Sequence, residues 1–94
     1  VDGGVMTFGA AIEAACGGKK IARAGWNGAD QWVVYMPAMT IPAGMVNDRT
    51  RRFVASGDIN VGAYFVMWTS AGVWQPGWLA SQADMFAEDW VVVE

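Results

Sequence analysis

Three groups of side chains in this sequence are of types that hold ligands. The first is the run Gly25-Trp26-Asn27-Gly28, which sets a large indole beside an Asn-Gly pair of the kind that closes a tight hairpin. Two placements are open to Trp26. At a hairpin tip it stacks a base, worth roughly 1 to 3 kcal/mol, while the Asn27 amide reads the base edge. Folded back, it packs on the core and Asn27-Gly28 is only a turn. The second group is Arg49, Arg51 and Arg52. Guanidinium groups clamp phosphate oxygens bidentately, although a solvated polar loop is the simpler account of this cluster. The third group is acidic: Asp84, Glu88 and Asp89. As a carboxylate metal site it lacks a fourth ligand at fixed spacing. Asp84 alone is suited to accept hydrogen bonds from ribose hydroxyls, a role that acidic residues take in dinucleotide sites.

Catalytic chemistry has less to draw on. Histidine is absent and cysteine occurs once, at Cys16, which removes Ser-His and Cys-His pairs, His-dependent metal motifs, an intramolecular disulfide and a Cys-based zinc site. There is no P-loop and no Gly-x-Gly-x-x-Gly after a strand. No catalytic residue, metal site or cofactor is therefore assigned. The expectation is a binding protein that is not an enzyme.

The elements that must position these groups can be read from periodicity. Thr7 is placed to cap a helix whose apolar residues Phe8, Ala11, Ile12 and Ala15 fall on one face, with Gly17-Gly18 ending it. Lys19 and Lys20 follow that C-terminus, where cations complement the helix dipole. Strands are expected at 20–24, 31–36, 63–69, 73–75 and 90–93, and Ser70-Ala71-Gly72 suits a hairpin with Gly72 left-handed. Ser81 is placed to cap a short helical segment reaching Phe86 or Ala87. The fold class implied is α+β: an N-terminal helix packed on a mostly antiparallel sheet of about four or five strands, with a short C-terminal helical segment. From Pro37 to Asn60 the pattern breaks into Pro, Gly, Asp, Asn and Arg with scattered apolar residues. That stretch reads as a long irregular insertion, longer than ordinary connections and suspect as functional or interface-forming.

Alternation along the strands has a further consequence. Trp32, Val34 and Met36 fall on one face and Val33 and Tyr35 on the other, and Tyr64, Val66 and Trp68 alternate with Phe65 and Met67. One helix covers one face, so aromatic residues remain on the opposite side, and self-association is the natural way to bury them.

With 54% hydrophobic and 16% charged residues, the chain lies far from the disordered signature and reads as one domain over Met6 to Glu94 with a small core. Residues 1–5 read as an expression scar before a natural start at Met6. No apolar stretch approaches the ~18 residues of a membrane span. A net charge of −3 argues against a surface for nucleic-acid polymers.

Taken in order, MTFGAAIEA over 6–14, KKIARAGWNG over 19–28 and WLASQADMFAEDW over 78–90 resemble a small phage family, the Thoeris anti-defence proteins of the second described type. The likeness covers Met6 to about Met36 and Tyr64 to Glu94, and its C-terminal block is the specific part. The resemblance implies an α+β subunit that assembles into a homotetramer and binds cyclic ADP-ribose-type signals, notably glycocyclic isomers, in pockets between subunits. It implies sequestration without degradation, in the cytoplasm of the infected bacterium, so that the messenger made by TIR proteins never reaches its effector. Some members also hold cyclic oligonucleotides at a separate site. By family motif the pocket residues are Trp26, Asn27, Trp78, Ser81, Gln82 and Asp84; Arg49, Arg51 and Arg52 lie in the stretch the likeness does not cover and are candidate phosphate contacts on their chemistry alone, while the periodicity of Phe8, Ile12 and Trp90 assigns them to the core. Two other readings stand beside it: a phage protein-interaction or structural module gripping a partner with its apolar sheet face, and an enzyme hydrolysing the signal with carboxylates and a metal.

Overall fold

The structure is a computed structural model, and it describes residues 4–26, 30–54 and 57–94. Helix α1 spans Phe8–Cys16 and starts where expected, the Thr7 hydroxyl oxygen accepting the Ala10 N–H at 3.3 Å. It ends at Gly17, and Gly18 takes φ +99°, a conformation that costs a glycine little. Among the described residues seven strands follow in chain order: β1 (Lys20–Arg23), β2 (Trp32–Met36), β3 (Met39–Ile41), β4 (Ile59–Val61), β5 (Tyr64–Trp68), β6 (Trp74–Pro76) and β7 (Trp90–Val93). The described residues also form two short helices, α2 (Asp48–Arg51) and α3 (Gln82–Phe86), and a 3-10 turn at Ala43–Met45.

Five strands form one antiparallel sheet in the order β6-β5-β2-β1-β7. Its register sorts the side chains. Ile21 lies opposite Val33 and Val92, Arg23 opposite Trp90, Val33 opposite Met67, and Tyr35 opposite Phe65. These residues share the face that α1 covers. There Ala11 and Ala15, fully buried, let the helix approach Ile21, Val33 and Trp90, which are also fully buried. Phe8 packs on Trp90 with centroids 5.3 Å apart. Of the three residues expected in the core, Trp90 is fully buried, while Phe8 and Ile12 are both half-buried. The molecule is α+β as expected.

The other face carries Trp32, Val34, Val66, Trp68 and Trp74, and no helix lies against it among the described residues. Trp32 and Trp68 stack at 5.7 Å with planes 15° apart, Trp74 meets Trp32 edge-on, and the Lys20 ammonium sits 5.1 Å over the Trp32 ring. The aromatic surplus foreseen from the alternation is thus a single patch.

The stretch from Pro37 to Asn60, expected to be irregular, is organised. β3 and β4 pair antiparallel, Met39 with Val61 and Ile41 with Ile59, and the chain between them carries the 3-10 turn and α2. Strands of three residues are too short to display alternation, which is why the sequence pattern does not reveal them. The pair stands apart from the main sheet as an arm. The radius of gyration is accordingly 15.9 Å, against about 12 Å for a compact chain of this length.

Candidate functional site

The block from Gly77 to Asp89 leaves one edge of the sheet at β6 and returns to the other edge at β7, crossing on the α1 face. Gly77 makes the departure possible. It takes φ +84°, and both its N–H and that of Trp78 donate to the Phe65 carbonyl, at 2.8 and 3.0 Å. This corner turns the Trp78 indole under the sheet against Phe65, Trp26 and Trp90, all edge-on at 6.0 to 6.2 Å.

Helix α3 begins three residues later in a capping box. The Asp84 N–H donates to Ser81 Oγ at 3.1 Å, and the Ser81 N–H donates to Asp84 Oδ2 at 3.0 Å. The box aims the Asp84 carboxylate inward. There Oδ1 accepts Arg23 Nη1 at 3.0 Å and Trp26 Nε1 at 3.2 Å, while the Asp84 carbonyl accepts Trp90 Nε1 at 2.9 Å. Arg23 spans two acids, since its Nε also donates to Asp89 Oδ1 at 2.9 Å. Asp89 Oδ2 in turn accepts the Gly25 N–H at 2.9 Å. A Cβ at position 25 would stand 2.8 Å from that oxygen, so any larger residue there must displace the Asp89 carboxylate.

The electrostatics follow from these bonds. Burial works to raise the Asp84 carboxyl, but it is outweighed by the Ser81 N–H, Arg23 and Trp26, all of which favour the anion, and the group lies below the usual carboxylate value. Asp89 is lowered chiefly by the Arg23 hydrogen bond. Arg23 is raised by Asp89 first and Asp84 second. All three are charged at neutral pH.

Of the two placements open to Trp26, the structure has the second: the ring folds back onto the core, edge-on to Trp90 at 5.4 Å and to Trp78 at 6.2 Å. Trp26 and Trp78 are both half-buried. Asn27 and Gly28 lie outside the described residues. Ser81 and Gln82 are exposed at the start of α3, and Asp84 is 9% exposed beneath them. Trp26, Trp78, Ser81 and Asp84 therefore come together, with Gln82 alongside. The arginines do not join them. Arg49 and Arg52 are exposed on and after α2 in the arm, and Arg51 donates to the Ala43 carbonyl within it. Nor do Asp84, Glu88 and Asp89 gather as a cluster, because Asp84 and Asp89 point at Arg23. Among the described residues no three metal-ligating side chains converge.

Two members of this network have roles that a search for ligand-binding motifs misses: Arg23, and Asp89, which stands in the acidic group only as a candidate metal ligand. Signals for them exist. Arg23 follows Ile21 by two residues on a strand, so it faces the covered side, where a charge must find a partner. Ser81-x-x-Asp84 is itself a helix-start pattern that predicts the turn of the Asp84 side chain.

No curated protein matches the chain in a direct sequence comparison. A family profile, that of the Thoeris anti-defense 2-like (Tad2-like) domain, matches residues 6–93. The matched span takes in α1, the whole sheet, the arm and the Trp26–Asp84 network, and the chain accordingly belongs to the Thoeris anti-defense 2-like family.

Proposed function

We propose that this protein works against Thoeris defence by binding a cyclic ADP-ribose-type signal, a glycocyclic isomer, and holding it intact. The observation that carries this reading is the half-open aromatic corner of Trp26 and Trp78 beside Ser81, Gln82 and Asp84, in a chain of an anti-defence family. The two indoles touch edge to face, so no base slides between them, and a base stacks on an outer ring face instead. A carboxylate has about four acceptor positions. Three on Asp84 are occupied, leaving one on Oδ2 for a ribose hydroxyl.

Sequestration demands more than this corner supplies. Nanomolar capture corresponds to about 12 kcal/mol, and one stacked base contributes roughly 1 to 3. The remainder is supplied by a second wall from a neighbouring copy in a homotetramer, with Arg49, Arg51 and Arg52 brought to phosphate by the arm. Surface area supports association: the chain exposes 6335 Å², against about 5,300 Å² for a compact monomer of 10.1 kDa. The excess of roughly 1,000 Å² is the scale that one subunit buries in a standard interface. No step of bond breaking is assigned to any residue, and the protein is read as a sponge and not an enzyme, acting in the cytoplasm of the infected bacterium.

The test is retention. The protein is incubated with glycocyclic ADP-ribose isomers, freed of unbound ligand, heated, and the supernatant analysed by mass spectrometry. Intact isomer supports the sponge. Hydrolysis product accumulating with time refutes it in favour of an enzyme. No retained ligand refutes it in favour of a module that grips a protein with the Trp32–Trp68–Trp74 face.

A further inference from the structure

We propose that Arg23 and Asp89 are positioning residues of the ligand site, setting the plane of the Trp26 indole through Asp84 and the Gly25 turn. The proposal rests on the reading of Trp26 as a ligand contact, and its argument is geometric. The Trp26 indole meets Trp90 and Trp78 edge to face, contacts that by themselves set its tilt only loosely. Its rotation is stopped by the bond from Nε1 to Asp84 Oδ1 at 3.2 Å. Asp84 itself sits in a helix of five residues, far below the length at which a helix holds its own shape. Its carboxylate is located by what grips it: the Ser81 N–H on one side and Arg23 on the other.

Arg23 is located in the same way. Nη1 reaches Asp84 at 3.0 Å and Nε reaches Asp89 at 2.9 Å, so two carboxylates fix the plane of the guanidinium. Asp89 then closes the circuit to the backbone that carries Trp26. Its Oδ2 accepts the Gly25 N–H at 2.9 Å, its carbonyl accepts the Ala24 N–H at 2.9 Å, and the Arg23 carbonyl accepts the Trp26 N–H at 3.2 Å. Trp26 is thus held at both ends, the ring by Asp84 and the main chain by Arg23 and Asp89. Neither Arg23 nor Asp89 hydrogen-bonds the ring. A ligand that stacks on Trp26 meets a surface whose tilt these two residues have already set, which spares the ordering cost of binding.

Lysine cannot substitute for Arg23, because a single ammonium lacks the fork that reaches both acids. The test uses the full chain in two readouts. In ligand-free protein the Trp26 indole N–H resonance, assigned by its loss in Trp26→Phe, is followed in Arg23→Lys and Asp89→Asn. Asp89→Asn preserves shape and keeps the fold if Arg23→Lys does not. The resonance is expected to shift and to exchange faster with solvent in both variants. In calorimetry with a glycocyclic ADP-ribose isomer, affinity is expected to fall about tenfold or more in both. An unmoved indole resonance overturns the proposal, and so does wild-type affinity in either folded variant. If the wild-type protein binds no isomer, the sponge reading fails on its own, and the indole resonance still decides whether Arg23 and Asp89 position Trp26.

Discussion

Replacing Asp84 by alanine tests a residue that is an internal strut in the structure and a ligand contact in the proposed function. Truncation leaves three donors facing the space where the carboxylate stood: Trp26 Nε1–H, the Ser81 N–H and Arg23 Nη1–H. The first two are neutral, and each lost bond costs about 1 to 1.5 kcal/mol when the donor is only partly rehydrated. Arg23 keeps Asp89 and water, so nothing is added for it. The sum, about 2 to 3 kcal/mol, is a large part of the roughly 5 to 10 kcal/mol that holds a domain of this size. It corresponds to a fall in Tm of about 10 to 20 °C. Asp84→Asn preserves the shape and one oxygen, and is expected to lose about half as much. The assay is thermal unfolding followed by circular dichroism at one fixed protein concentration, because the proposed subunit association would make Tm depend on concentration. A fall of less than about 4 °C in Asp84→Ala would refute the reasoning, since it would mean that the three donors are satisfied without Asp84. Ligand affinity of the alanine variant is then measured well below its own Tm, where a loss of binding reports the site and not the fold.

Four further outcomes are expected. Asp84 and Asp89 both titrate below their unfolded values, so at low pH the unfolded chain binds more protons; the stability they contribute is present above the ordinary carboxylate range, about pH 4, and is lost as pH falls through the lowered values. A Tm that stays level from pH 6 to pH 2.5 would contradict this. Gly25→Ala drives a methyl to within 2.8 Å of Asp89 Oδ2, and is expected to lower Tm by about 5 °C or more; an unchanged melting curve would show that the turn is not tied to Asp89. Trp26→Ala removes the stacking surface, and is expected to weaken capture of a glycocyclic ADP-ribose isomer by at least about tenfold in calorimetry, with unchanged affinity counting against the site. Val34→Glu puts a charge on the sheet face opposite α1, beside the fully buried Val66. Light scattering is expected to show a smaller assembly with native circular dichroism, and an assembly of unaltered mass would place the subunit interface elsewhere.

What could be read from the sequence was what repeats. Thr7, Gly17, Ser81 and Gly72 sit where capping and turn chemistry place them, Gly72 at φ +77°, because these signals depend on a residue and its near neighbours. The two apolar faces were legible for the same reason, as alternation is local. The arm was not, because Met39–Ile41 and Ile59–Val61 are three residues each and are stabilised by pairing with one another across a long loop. The placement of Trp26 was left open for a different cause. Nothing near it in sequence says that a carboxylate 58 residues away will accept its N–H.

That distance explains why the block WLASQADMFAEDW is more specific than its local structure requires. A serine followed three residues later by an acid starts many helices, and an aromatic followed by β-branched residues closes many sheets. Here the spacing answers several demands together. Trp78 must follow the Gly77 corner to reach Phe65, Asp84 must cap α3 while meeting Trp26 and Arg23, and Asp89 must hold Gly25. Trp90, one residue on, must fill the core. Moving any of these by one residue keeps a helix and a strand, yet turns a carboxylate or an indole to the wrong side. The pattern is therefore a record of the Trp26 corner, written in the residues that hold it in place.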